Sequence, residues 1–132
     1  MSDFPGLKVL VVEDEGSIAL LIEDMLLELG CDLRASIGRL DKACIVAGTI
    51  SVDFAVLDVN LAGELVFPVA EILRKRAIPF LFSTGYGGLP ERFRDCLVLN
   101  KPFTIEDVRR KIRMILASKT TDHPVTGFDS NN

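Results

Sequence analysis

At 132 residues, 48% hydrophobic and 26% charged, the chain has the size and composition of one globular domain. Its net charge of -4 gives no electrostatic case for a nucleic-acid partner. One histidine and three cysteines without C-x-x-C spacing exclude a His–Cys metal cluster, and no apolar run reaches membrane-span length. With no signal-peptide pattern in MSDFPGLK, a cytoplasmic chain without a membrane partner is expected.

The first element, LKVLVV at Leu7–Val12, is a near-continuous β-branched run, the pattern of a strand buried on both faces. It runs directly into Glu13, Asp14 and Glu15, the last of which is expected to start a helix. Ile18, Leu21, Ile22, Met25, Leu26 and Leu29 then share one helix face, which Gly30 ends. Cys31–Ser36 alternates as an edge strand does, and Arg39–Gly48 reads as a second helix. Val52–Asp58 is a third strand that stops abruptly on an acid. The helix after it should start near Leu65–Phe67, because Pro68 fits only a first turn. Ile78–Thr84 and Cys96–Asn100 are the fourth and fifth strands.

A last helix, Thr104–Ser118, carries Ile105, Val108, Ile112, Ile115 and Leu116 on one face, with Thr104 and Asp107 in capping-box positions. Its basic run Arg109–Arg113 is expected to be a solvated face near the helix C-terminus, where positive charge suits the dipole. The folded domain is expected to span residues 1–117, with 118–132 a disordered tail lacking periodicity.

Strands alternating with helices imply an α/β fold with a parallel sheet, of flavodoxin-like doubly wound order 2-1-3-4-5. Such sheets bind ligands beyond the C-terminal ends of their strands. Glu13 and Asp14, Asp58, Ser83 and Thr84, and Asn100 and Lys101 stand there. Carboxylates held together need a neutralising cation, and a hard divalent ion such as Mg²⁺ suits a few oxygens plus water. The ion, Lys101 and Thr84 could then collect phosphoryl oxygens, with the central Asp58 as nucleophile. A flavin carrier is disfavoured, because three acids after the first strand would repel FMN phosphate.

Four motifs in order, VVEDE, LDVN around Asp58, FSTG around Thr84 and NKPF around Lys101, resemble a response-regulator receiver domain over residues 7–117. The resemblance implies phosphorylation of Asp58 by a histidine kinase or a histidine phosphotransfer protein, without turnover of an external substrate. It implies Mg²⁺ on Asp14, Asp58 and the Asn60 carbonyl, with Glu13 acting through a bound water. Lys101 and Thr84 would contact the phosphoryl group, with Val59, Asn60 and Gly85 lining its site, and the Lys101–Pro102 bond would be cis. An aspartyl phosphatase would need an acid where Asn60 stands.

PFLFSTGYG, Pro79–Gly87, narrows the likeness to the alphaproteobacterial receivers called FAT GUY, with Ser83 in place of their alanine. That implies a stand-alone receiver of general stress signalling. Its kinase would be of the HWE or a related class, and its output contact with an unknown downstream protein or service as a phosphate sink. A degenerate receiver that binds a partner without phosphorylation is the alternative. Two departures stand out. Only Glu91–Asp95 remain for the family's fourth helix, which should be shortened or absent. Val98 replaces the family's aromatic switch residue, leaving Tyr86 as the switch candidate.

Overall fold

The apolar runs of the sequence become the interior strands of one sheet. The structure is a computed structural model that describes residues 2–85 and 88–125. In chain order it holds β1 (Lys8–Val12), α1 (Gly16–Glu28), β2 (Asp32–Ile37), α2 (Leu40–Ala47) and β3 (Phe54–Asp58). There follow β4 (Asn60–Leu61), β5 (Glu64–Leu65), α3 (Phe67–Lys75), β6 (Phe80–Thr84), β7 (Leu97–Asn100) and α4 (Ile105–Val125). Five parallel strands lie in the order β2-β1-β3-β6-β7, which is the expected winding. No described helix is long and apolar enough to cross a membrane.

Each face of the sheet carries its own core, as a doubly wound sheet requires. Val9, Val11, Phe54, Val56, Leu81 and Leu99 pack against Ile22 and Leu26 of α1 and Val108, Ile112 and Ile115 of α4. Leu10, Val12, Ala55, Leu57 and Phe82 pack against α2, α3 and Phe93. Gly30 ends α1 with a φ of 92°. Its amide donates to the Leu27 carbonyl at 3.0 Å, and a Cβ there would fall 2.5 Å from that of Ser2, so the position needs glycine.

The hairpin β4–β5 has no counterpart in the sequence reading. Its two-residue turn, Ala62 and Gly63, has φ values of 52° and 95°. Both lie in the left-handed region, as a primed hairpin turn demands, at a cost of about 1 kcal/mol for the alanine. Pro68 lies in the first turn of α3, where its missing N–H is harmless.

At the start of α4 the capping box is complete. The Thr104 amide donates to Asp107 Oδ2 at 2.8 Å, and the Asp107 amide to Thr104 Oγ1 at 3.2 Å. The helix continues to Val125, past the expected end of the ordered chain at residue 117, and residues 126–132 lie outside the described chain. The basic run therefore sits in the first half of α4, where the helix dipole gives it nothing. Its charges are met by acids instead. Asp3 Oδ2 lies 2.9 Å from Arg109 Nε and 3.1 Å from Arg113 Nη2, Glu106 pairs with Arg109, and Asp107 lies 3.4 Å from Arg110. These contacts fasten the N-terminal segment across α4.

Between β6 and β7 the described residues hold only a 3₁₀ turn, Glu91–Phe93, so the expected loss of a helix is seen. Phe93 replaces that helix in the core. It is fully buried, stacks on Phe67 at 5.4 Å and meets Phe82 edge-on at 5.5 Å. The guanidiniums of Arg74 and Arg92 cover its outer side at 4.4 and 4.9 Å from the ring centre.

Candidate functional site

Strand register decides which side chains meet. Val12 pairs with Leu57, Asp58 with Ser83, and Ser83 with Leu99. Side chains alternate along a strand, so Glu13, Asp58 and Ser83 continue the face that packs against α1 and α4. Lys101, two residues past Leu99, returns to the same face. Its Nζ lies 3.4 Å from Asp58 Oδ1 and 3.5 Å from Glu13 Oε1.

Glu13, Asp14 and Asp58 each offer a carboxylate oxygen within 4.8 Å of the other two. Glu13 and Asp58 are buried, with side chains 1% and 8% exposed, while Asp14 is exposed. The Asn60 amide donates to Asp58 Oδ1 at 3.4 Å, a long contact, and the Asn60 side chain accepts from the Gly63 amide at 2.6 Å. The hairpin thus fixes the residue two positions past Asp58.

Thr84 is buried at the end of β6, and its carbonyl accepts from the Lys101 amide at 2.9 Å. Gly85 is exposed, and the Lys101–Pro102 bond is cis. The Val59 amide donates to the Ser83 carbonyl at 3.1 Å, so it is engaged in the sheet. Tyr86 lies outside the described residues. Val98 is in register with Phe82.

Glu15 occupies the N-cap position of α1, and its amide donates to Glu13 Oε2 at 3.1 Å. The helix start at Glu15 is as expected; the sequence did not show its amide bond to Glu13, which closes a turn around the buried carboxylate. Sequence reasoning also missed the Asn60 tie, for which the Ala-Gly pair two residues on was the signal.

Burial raises the Glu13 carboxyl from 4.5 to about 7. A hydrogen bond with Asp58 and repulsion from its charge push the same way, against the Glu15 amide and Lys101. A folded value above the unfolded one means that the contribution of Glu13 to stability is full below about pH 4.5. It is lost as pH rises through about 7. We expect the cation-free chain to lose up to about 3 kcal/mol from this group between pH 4.5 and pH 8. Glu13→Gln should remove that part of the pH dependence, and millimolar Mg²⁺ should restore stability to the native chain at pH 8. Urea midpoints across pH measure it, and parallel profiles for the two chains would refute it.

No family model matches the chain. Transcriptional regulatory protein PdtaR of Mycobacterium tuberculosis is 29% identical over 116 residues, 83% of this chain. The chain spans 57% of the length of that relative. Among solved structures, SdrG from Sphingomonas melonis is 39% identical with a TM-score of 0.75, over 88% of this chain and 99% of SdrG. The PhyR response-regulator receiver domain of Erythrobacter litoralis is 28% identical with a TM-score of 0.72, over 86% of this chain and 92% of that one. An identity of that order along the whole of SdrG, on a shared winding, goes beyond likeness of fold: the chain belongs to the receiver domains of response regulators.

Proposed function

We propose that the chain is a cytoplasmic phosphoacceptor of a phosphorelay, in which Asp58 receives a phosphoryl group in a Mg²⁺-dependent reaction. One observation carries this reading: Asp58 stands between two further carboxylates and one ammonium at the ends of adjacent strands. The donor set fits the ion. It offers only oxygens, and the buried Glu13 Oε1 has no hydrogen-bond partner among the described residues. Asp14, Asp58 and the Asn60 carbonyl would hold the ion, with Glu13 acting through water. When bound, Mg²⁺ offsets the repulsion between the acids and the phosphoryl oxygens.

An Asp58 carboxylate oxygen supplies the electron pair of the new O–P bond. The P–N bond to the donor histidine breaks, and the nitrogen keeps its electron pair and later takes a proton from water. Lys101, the Thr84 hydroxyl and the amides of Asn60 and Gly85 receive the charge on the three phosphoryl oxygens.

SdrG and PhyR come from alphaproteobacteria, which supports the FAT GUY reading. On that reading the kinase is of the HWE or a related class, or a histidine phosphotransfer protein intervenes, in general stress signalling. Output passes through contact with a downstream protein or through draining a shared kinase of phosphate. Incubation with acetyl phosphate and Mg²⁺ tests the proposal: one phosphoryl group per chain supports it. Tight partner binding without any uptake of phosphate supports the degenerate, phosphorylation-independent module instead.

A further inference from the structure

Among the described residues, Glu13 Oε1 and Ser83 Oγ are the buried side-chain oxygens without a hydrogen-bond partner. They stand on one sheet face, on either side of Asp58. A cation accounts for Glu13. Ser83 needs another account. It is fully buried, and a hydroxyl cut off from water without a partner is costly. Alanine would fill the same space without that cost. The face beneath it is apolar, built from Val56, Leu81 and Leu99 with Val108 and Ile112 of α4. Asp58 is in register with it, and the Lys101 ammonium lies 3.4 Å from that carboxylate, two residues past Leu99, the other partner of Ser83.

Lys101 is loosely held. Its distances of 3.4 and 3.5 Å to the two carboxylates exceed those of a good charged hydrogen bond, and an ammonium has three donors. We propose that Ser83 is a positioning residue of the phosphoacceptor site. When Lys101 leaves the two carboxylates for the phosphoryl group on Asp58, the Ser83 hydroxyl accepts one of its N–H donors. The ammonium is thereby held against the phosphoryl oxygens. Among the described residues the hydroxyl has no partner, and in the phosphorylated chain the ammonium would supply one. This inference rests on Asp58 being the phosphoacceptor.

The test uses the full chain with acetyl phosphate and Mg²⁺, comparing the native protein with Ser83→Ala, Ser83→Thr and Asp58→Asn. Ser83→Ala should label about three- to tenfold more slowly and lose its phosphoryl group faster by a similar factor. Ser83→Thr, which keeps the hydroxyl, should recover most of both rates. The Mg²⁺ affinity of Ser83→Ala should stay within about twofold of native, and its thermal midpoint should be equal or higher, because an unsatisfied group is gone. Native rates in Ser83→Ala, or a threonine chain no better than the alanine one, overturn the inference. So does a parallel fall in Mg²⁺ affinity and thermal midpoint, which would mark a packing role. A native chain that takes up no phosphoryl group, or Asp58→Asn labelling as the native chain does, overturns the underlying reading and the inference with it.

Discussion

A chain carrying Asp58→Asn is expected to lose labelling by acetyl phosphate by at least about a thousandfold, the scale on which nucleophile removal acts. Three carboxylates are candidates for the role, and their surroundings differ. Glu13 is buried, with a side chain 1% exposed, and its Oε2 already accepts from the Glu15 amide at 3.1 Å. Asp14 is exposed, and no ion pair with Lys101 joins it to the cation of the site. Asp58 lies between the two strands that flank it, faces Lys101 at 3.4 Å and receives the Asn60 amide. Asparagine matches its size, so the fold should persist while the attacking oxygen is lost. Intact-mass measurement after incubation reads the outcome. Labelling of Asp58→Asn at the native rate would move the acceptor elsewhere.

The second large effect concerns the space where the family's fourth helix is lost. Phe93→Ala is expected to destabilise the chain by about 3–5 kcal/mol, read as a lower urea midpoint. The ring is fully buried among Phe67, Phe80 and Phe82, so its removal leaves a cavity that a three-residue turn cannot collapse to fill. Arg74 and Arg92 would lose the surface that orders them. Phe93→Leu should recover roughly half of the loss, since it restores volume but not ring geometry. A cost for alanine below about 1 kcal/mol would mean that the aromatic cluster does not replace a helix.

The parts that the sequence made legible are those set by short-range physics. Strands showed as unbroken apolar runs, Pro68 located the start of α3, and Thr104 with Asp107 located that of α4. Candidate site residues showed because doubly wound sheets gather strand ends: Asp58 and Thr84 end β3 and β6, and Lys101 follows β7. Long-range pairing was invisible. Asp3 pairs with Arg109 and Arg113 from the far end of the chain, which changed the meaning of the basic run. Ser83 was visible at a strand end, but its orphaned hydroxyl required the register and the burial of the face beneath it. Phe93 is the one apolar residue of Glu91–Asp95, and its partners come from the distant α3 and β6.

The candidate site is also divided between interior strands and an edge strand of the sheet. Glu13 follows β1, Asp58 ends β3 and Ser83 is the last residue but one of β6, and these three interior strands have pairing partners on both sides. Lys101 follows β7, an edge strand whose outer groups pair with no other strand among the described residues. In amide hydrogen exchange, the interior strands should exchange only through global unfolding, and β7 through much smaller local openings. Asp58 would thus stand on the slowest-exchanging backbone and Lys101 on a faster one. Such a division would let the Lys101 ammonium change partners while the carboxylates keep their places.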